Sequence, residues 1–165
     1  MKVLRSKWIL GTGITLAVFL LLAAQTEKSA HAEIIIEASP DLVWSVLMDE
    51  KSYPDWNNVL FPATGKIKEG NVLDYKLITP AGEEIDIDMK VKALIPRKLL
   101  NQQGGVPGVF TYNHRYILHE KGKNTRVVIH EDFRGIGVLF IDLTWLQPAY
   151  AELNHSLREY VLEMK

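Results

Sequence analysis

Residues 84–94, EIDIDMKVKAL, alternate in character almost without a break. Ile85, Ile87, Met89, Val91 and Ala93 are apolar, and Asp86, Asp88, Lys90 and Lys92 between them are charged. A period of two belongs to a β-strand, whose successive side chains point to opposite faces. This strand therefore has one face in a core and one in water, the pattern of an antiparallel sheet. The carboxylates Asp86 and Asp88 share a face, as an acid/base pair would. That face opposes a wholly apolar one, so both point to solvent.

The segments around it read as further strands. Residues 33–38 (EIIIEA), 63–70 (ATGKIKEG), 71–80 (NVLDYKLITP), 98–103 (KLLNQQ), 109–120 (VFTYNHRYILHE) and 125–133 (TRVVIHEDF) are strand-like, with turns at Glu69-Gly70, Pro80-Ala81-Gly82 and Lys121 to Asn124. GGVPG, at 104–108, is a flexible link, and Trp56 to Pro62 is irregular. From Ala149 to Met164, Leu153, Leu157, Tyr160 and Val161 recur at helical spacing, with Pro148 near the helix start. One long helix is thus available to cover the inner face of a meander of about six strands. A strongly bent sheet wrapped round one helix leaves space at its mouth.

Residues 39–57, SPDLVWSVLMDEKSYPDWN, supply something to close that mouth. Ser39 caps a helix, Pro40 suits its first position and Asp41 suits the positive end of its dipole. Leu42, Val43, Val46 and Leu47 form its apolar stripe. A second, broken turn with Tyr53, Pro54 and Trp56 follows, and is expected to act as a lid.

The chain has 165 residues, 47% hydrophobic and 24% charged, consistent with one domain that has a real core. There is no cysteine, hence no disulfide framework or thiol chemistry. The net charge is −1 and no Lys/Arg run follows the N-terminus, which argues against a nucleic-acid partner.

Residues 1–32 are expected to lie outside the fold, with the domain at 33–165. Lys2, Arg5 and Lys7 precede an uncharged apolar stretch from Trp8 to Ala24. As a helix it spans about 25 Å, slightly short of a ~30 Å hydrocarbon core. Ala30-His31-Ala32 is an A-x-A pattern that a signal peptidase could cut before Glu33. A cleaved signal and a retained membrane anchor are both open. In either case the positive charges stay inside and the domain is extracytoplasmic, secreted or anchored by residues 8–24.

Three stretches carry a family resemblance. IIIEASPDLVWSVLMDEKSYPDWNNV (34–59) resembles the opening strand, S-P-x-x-V-W helix start and Y-P-x-W turn of the SRPBCC superfamily, in its START-like, polyketide cyclase/dehydrase-like branch. HEDFRG (130–135) resembles that family's E-x-F-x-G strand end, and AELNHSLREYVLE (151–163) its final helix. The sequence departs from the pattern at Asn58, where relatives often carry proline. The resemblance implies an α+β helix-grip fold. A curved antiparallel sheet of six to seven strands would wrap round the C-terminal helix, with two short helices after the first strand and an apolar cavity between sheet and long helix. It implies no single activity.

Two residues break the apolar faces of the last strands. Phe110, Tyr112, Tyr116 and Leu118 share a face interrupted by His114, and Val127, Ile129 and Phe133 share one interrupted by Glu131. With Gly122-Lys123 as a two-residue turn, Leu118 faces Val127, Tyr116 faces Ile129 and His114 faces Glu131. A slip of one residue would expose both apolar rows, so the pattern supports this register. A buried charge is costly unless paired. The pair is therefore a structural tie, a ligand anchor in which Glu131 orients His114, or an acid/base pair for cyclisation or dehydration.

The expected role is binding of a small, largely apolar molecule by Trp56, Tyr112, His114, Tyr116, Glu131, Phe133 and Trp145. Alternatives are a cyclase or dehydratase using His114 and Glu131, and an interaction module whose cavity is filled by side chains. No cofactor or metal is expected, since His114, His119 and His130 are not spaced as a metal set and no P-loop or nucleophile elbow is present.

Overall fold

The computed structural model describes residues 26–165. Its strands are β1 (Glu27–Ile36), β2 (Leu60–Thr64), β3 (Val72–Ile78), β4 (Glu84–Ile95), β5 (Leu99–Val106), β6 (Phe110–Lys121) and β7 (Asn124–Arg134). They form one antiparallel sheet in the order β1-β7-β6-β5-β4-β3-β2. Helices α1 (Pro40–Leu47) and α2 (Tyr53–Trp56) follow β1, a 3-10 turn (Ile136–Leu139) follows β7, and α3 (Leu146–Glu163) ends the chain. This is the helix-grip fold.

Local chemistry explains the elements. Ser39 Oγ accepts from the Leu42 N–H at 3.4 Å, and Val43, Val46 and Leu47 of α1 are buried. β4 shows the expected alternation, with Met89 and Val91 fully buried and Lys76 Nζ 2.6 Å from the outward Asp86. Irregularities at Pro62/Thr64 and Val91/Ala93 bend the sheet. α3 buries Leu146, Tyr150, Leu153, Asn154, Leu157 and Val161 on one stripe. It lies chiefly over β1, which leaves the inner face of the β3–β4 side open.

Four expectations need correction. The fold begins at Glu27, not Glu33, because Ala30 and Ala32 are inward-facing residues of β1, 2% and 7% exposed, where α3 packs against the strand. The A-x-A pattern is therefore also a small-residue alternation. Residues 1–25 lie outside the described residues, and so does the apolar stretch 8–24. The strand expected at 63–70 lies at 60–64 instead. Beyond Gly65 (φ 99°), the apparent alternation around Ile67 belongs to a loop in which Ile67 is buried and its N–H is held by Glu50 Oε1 at 2.6 Å. GGVPG is not a free link: Gly104 to Val106 complete β5, paired with Tyr112 to Phe110. Finally, α3 starts at Leu146, which puts Pro148 inside its first turn, where no helical N–H is lost.

Candidate functional site

The open side of the sheet encloses a cavity of about 350 Å³. Its walls are Leu77 on β3, Ile85 and Ile87 on β4, Phe110 and Tyr112 on β6, Phe133 on β7, and Leu146 and Tyr150 on α3. Leu60, Thr79, Glu131, Ile141, Asp142, Leu143 and Trp145 complete the lining. This size and apolar character suit a small organic molecule. Glu131 and the Tyr150 ring supply a polar spot on one wall.

The hairpin register sets that spot. Lys121 pairs with Asn124 across the Gly122-Lys123 turn, Gly122 has φ 63°, and His114 pairs with Glu131. His114 is fully buried and Glu131 is 4% exposed. His114 Nδ1 lies 3.4 Å from Glu131 Oε2, and the Tyr150 hydroxyl donates to the same oxygen. Both contacts fall on Oε2, and Oε1 has no hydrogen-bond partner among the described residues. His114 Nε2 is buried without a partner. Burial, reinforced by the Glu131 charge, pushes the Tyr150 phenol well above its ordinary range, so it stays a protonated donor at neutral pH.

Tyr112 is held by a different device. Its hydroxyl donates to the Asp88 carbonyl at 2.9 Å, passing over Gly104 on the strand between. A Cβ at Gly104 would sit 2.2 Å from Asp88 O and 2.4 Å from the Tyr112 hydroxyl, so only glycine admits this ring. Burial, helped by the nearby Asp88 charge, pushes the Tyr112 phenol up to about 12.

The structure distributes the expected site residues unevenly. Tyr112, Glu131, Phe133 and Trp145 line the cavity. His114 lies behind Glu131 and Tyr150, its ring edge-on to those of Tyr150 and Tyr116 at 5.5 and 4.9 Å. Tyr116 is a core residue, and burial pushes its phenol up strongly. Trp56 is a correction. The Tyr53 hydroxyl donates to Leu47 O, folding α2 back onto the core, where Trp56 packs on Tyr53 at 4.7 Å and Tyr116 at 6.5 Å. The lid expected at Trp56 is not at the mouth of the cavity. Of the lining residues, Ile85, Ile141 and Asp142 are the exposed ones, and they mark its open side. Trp56 borders a separate surface hollow with Pro54, Asn58 and Tyr160. A wider hollow of about 770 Å³ near Asp41, Arg97, Arg115 and Arg126 is open and bordered largely by charged groups.

Several participants escaped sequence reasoning. Gln102, opposite His114 on β5, is buried and donates to the Tyr75 hydroxyl. Asn57 accepts from the Val59 and Leu60 N–H groups at 3.1 and 2.8 Å and donates to the Tyr116 hydroxyl at 3.3 Å. Asn154 is 1% exposed with no partner for its amide. Among the described residues, no group of three or more His, Asp or Glu is arranged to hold a metal ion.

The folded domain resembles many solved structures. Norcoclaurine synthase from Thalictrum flavum, solved in complex with dopamine and hydroxybenzaldehyde, aligns with a TM-score of 0.65 at 18% identity, covering 86% of this chain and 90% of that one. Protein Ms6760 from Mycobacterium smegmatis gives 0.66 at 11% identity, covering 83% and 92%. Protein CV1439 from Chromobacterium violaceum gives 0.66 at 10%, covering 81% and 96%. At these identities the likeness is one of fold. No curated protein sequence matches the chain. The family model for polyketide cyclase / dehydrase and lipid transport matches residues 27–162, from the first residue of β1 almost to the end of α3, and the chain belongs to that family.

Proposed function

We propose that this domain binds a small, largely apolar molecule that carries one hydrogen-bond donor, and does so on the outer side of the membrane. The enclosed cavity of about 350 Å³ carries this reading: its walls are apolar apart from the Glu131–Tyr150 spot and a few groups at the mouth. Apolar burial supplies the affinity. The carboxylate, oriented by Tyr150 and His114, supplies orientation through its free oxygen. The extracytoplasmic location is supported by Lys2, Arg5 and Lys7 ahead of the apolar stretch. The open volume counts against a cavity filled by side chains.

Native mass spectrometry of the protein isolated from its source tests the reading. A co-purifying small molecule, absent from an Ile87→Trp variant that fills the cavity, is the expected result. A parent protein that carries nothing, and that takes up an anilinonaphthalene probe no better than the filled variant, would defeat it.

A second reading, a cyclase or dehydratase, is favoured by one observation: a carboxylate held in an apolar wall is placed for proton transfer. The acid/base group would then be Glu131, with Tyr150, and not His114. Turnover lost in Glu131→Gln with binding kept would establish it.

A further inference from the structure

Five of the large apolar side chains that the domain leaves in solvent lie at one end of the sheet. Phe140 is 81% exposed, Val106 61%, Val109 55%, Leu139 48% and Ile141 41%. Two turns bring them together. The Ile136 and Gly137 N–H groups donate to Gly108 O and Val109 O at 3.2 and 2.8 Å, which ties the segment after β7 to the β5–β6 turn. Ile141, itself exposed, also lines the cavity, so the apolar rim adjoins the open side of the cavity. A monomer gains nothing by holding such a rim in water.

The N-terminal end of β1 is at this same place. Glu27 pairs with Arg134, and the Gly135 N–H donates to Thr26 O at 3.1 Å. The apolar stretch of the sequence ends at Ala24, two residues earlier. Two residues reach about 7 Å at full extension. A membrane-embedded stretch ending at Ala24 therefore leaves no linker, and whatever end of the domain holds Thr26 lies at the bilayer surface. Cleavage before Glu33 would remove six of the ten residues of β1, including buried Ala30 and Ala32. An intact first strand thus favours a retained anchor. The charges at this end are matched: Arg134 donates to Glu27 at 3.0 Å, and Lys28 lies near Asp142. Attraction to anionic lipid is accordingly not the source of docking.

We propose that the domain rests on the lipid bilayer through the rim Val106, Val109, Leu139, Phe140 and Ile141, with the cavity mouth turned to the membrane. Phe140 enters the headgroup–acyl boundary. An apolar ligand then passes between bilayer and cavity without crossing water. This rests on reading residues 8–24 as a membrane anchor and, for the passage of ligand, on the proposed function.

The chain has no cysteine, so one label can be placed at will. Full-length Phe140→Cys and Lys123→Cys, each carrying an environment-sensitive nitrobenzoxadiazole, are reconstituted into phosphatidylcholine vesicles with and without doxyl-labelled lipid. Position 123 lies in the β6–β7 turn, at the other end of the sheet. The expected result is a blue-shifted emission at 140 that doxyl lipid largely abolishes, with position 123 unaffected and no requirement for anionic lipid. Quenching at neither position, or at both, overturns the orientation. A blue shift at 140 without doxyl quenching means that protein, a second copy included, covers the rim, and also overturns it. Recovery of the chain free of vesicles overturns the anchor. Quenching reads docking alone: quenching at 140 with an empty cavity supports the docking and counts against the ligand reading.

Discussion

The buried group of His114, Glu131 and Tyr150 should behave as a unit, and a mutant cycle will show it. His114 and Glu131 are almost wholly sealed, and Tyr150 is fully buried. Removing one partner of a buried hydrogen-bonded pair commonly costs about 1–3 kcal/mol, because the other is left unsatisfied. In His114→Leu the Tyr150 hydroxyl still donates to Glu131, and the unpartnered Nε2 is removed, so a loss of roughly 2–3 kcal/mol is expected. Glu131→Leu strands two donors, at about 1–3 kcal/mol each. Replacing only the pair still strands the Tyr150 hydroxyl. The informative variant is therefore the triple, His114→Leu with Glu131→Leu and Tyr150→Phe. It leaves no unpaired polar group and should lie within about 2 kcal/mol of the parent.

Urea unfolding followed by tryptophan fluorescence measures each stability, with the denaturant slope checked for constancy. The triple variant should be markedly more stable than the sum of the single losses predicts. Simple additivity, or single losses all below about 1 kcal/mol, would show that the three residues do not form one network.

Three further outcomes follow from the geometry. Gly104→Ala should cost at least about 1–3 kcal/mol and expel the Tyr112 ring from the cavity wall, with probe binding reduced more than in a surface control such as Lys123→Ala; unchanged binding would contradict the contact. Asn57→Ala strands the Val59 and Leu60 N–H groups, so a loss of about 2–4 kcal/mol in urea unfolding is expected, and a loss under about 0.5 kcal/mol would contradict the buried cap. Tyr53, Tyr75, Tyr112, Tyr116 and Tyr150 all have phenols raised by burial, so the unfolded chain releases their protons first. Their contribution is complete below about pH 10 and falls as pH rises, by up to about 1.4 kcal/mol per unit for each tyrosine. Tyrosinate absorbance near 295 nm should rise for these residues together with unfolding, and smooth ionisation of a still-folded chain would contradict it.

What the sequence discloses depends on how local the deciding contact is. The His114–Glu131 tie spans a single tight turn, so the period of two and the glycine at 122 are enough to find it. Tyr150 reaches the same carboxylate from a helix, and its aim depends on how α3 is rotated over β1, which no local pattern records. Gln102 is hidden for another reason. Asn101 and Gln103 flank it, so polarity on both faces of β5 removes the contrast that exposes His114. Tyr53 and Trp56 are legible as aromatics after a helix, but whether they close a mouth or join a core depends on the Tyr53–Leu47 hydrogen bond. The exposed part of the cavity lining lies about 85 residues beyond Trp56, around Ile141, in a segment whose apolar residues carry no periodic signal.

Because His114 is sealed behind Glu131, a molecule in the cavity meets the carboxylate and not the imidazole. This inverts the chemistry expected of the pair. A histidine at the wall would donate to a ligand carbonyl, whereas Glu131 only accepts, and His114 and Tyr150 already occupy its Oε2. The free oxygen selects a ligand that brings its own donor. A hydrogen bond to a charged group contributes about 1.5–3 kcal/mol, so an alcohol should bind roughly 10- to 100-fold more tightly than its methyl ether, which fills similar space but cannot donate. Glu131→Gln, which can donate as well as accept, should shrink that preference while the fold is kept. Competition of the two compounds against an anilinonaphthalene probe reads both affinities. Equal affinities in the parent protein, or a preference that survives Glu131→Gln, would mean that the carboxylate takes no part in recognition.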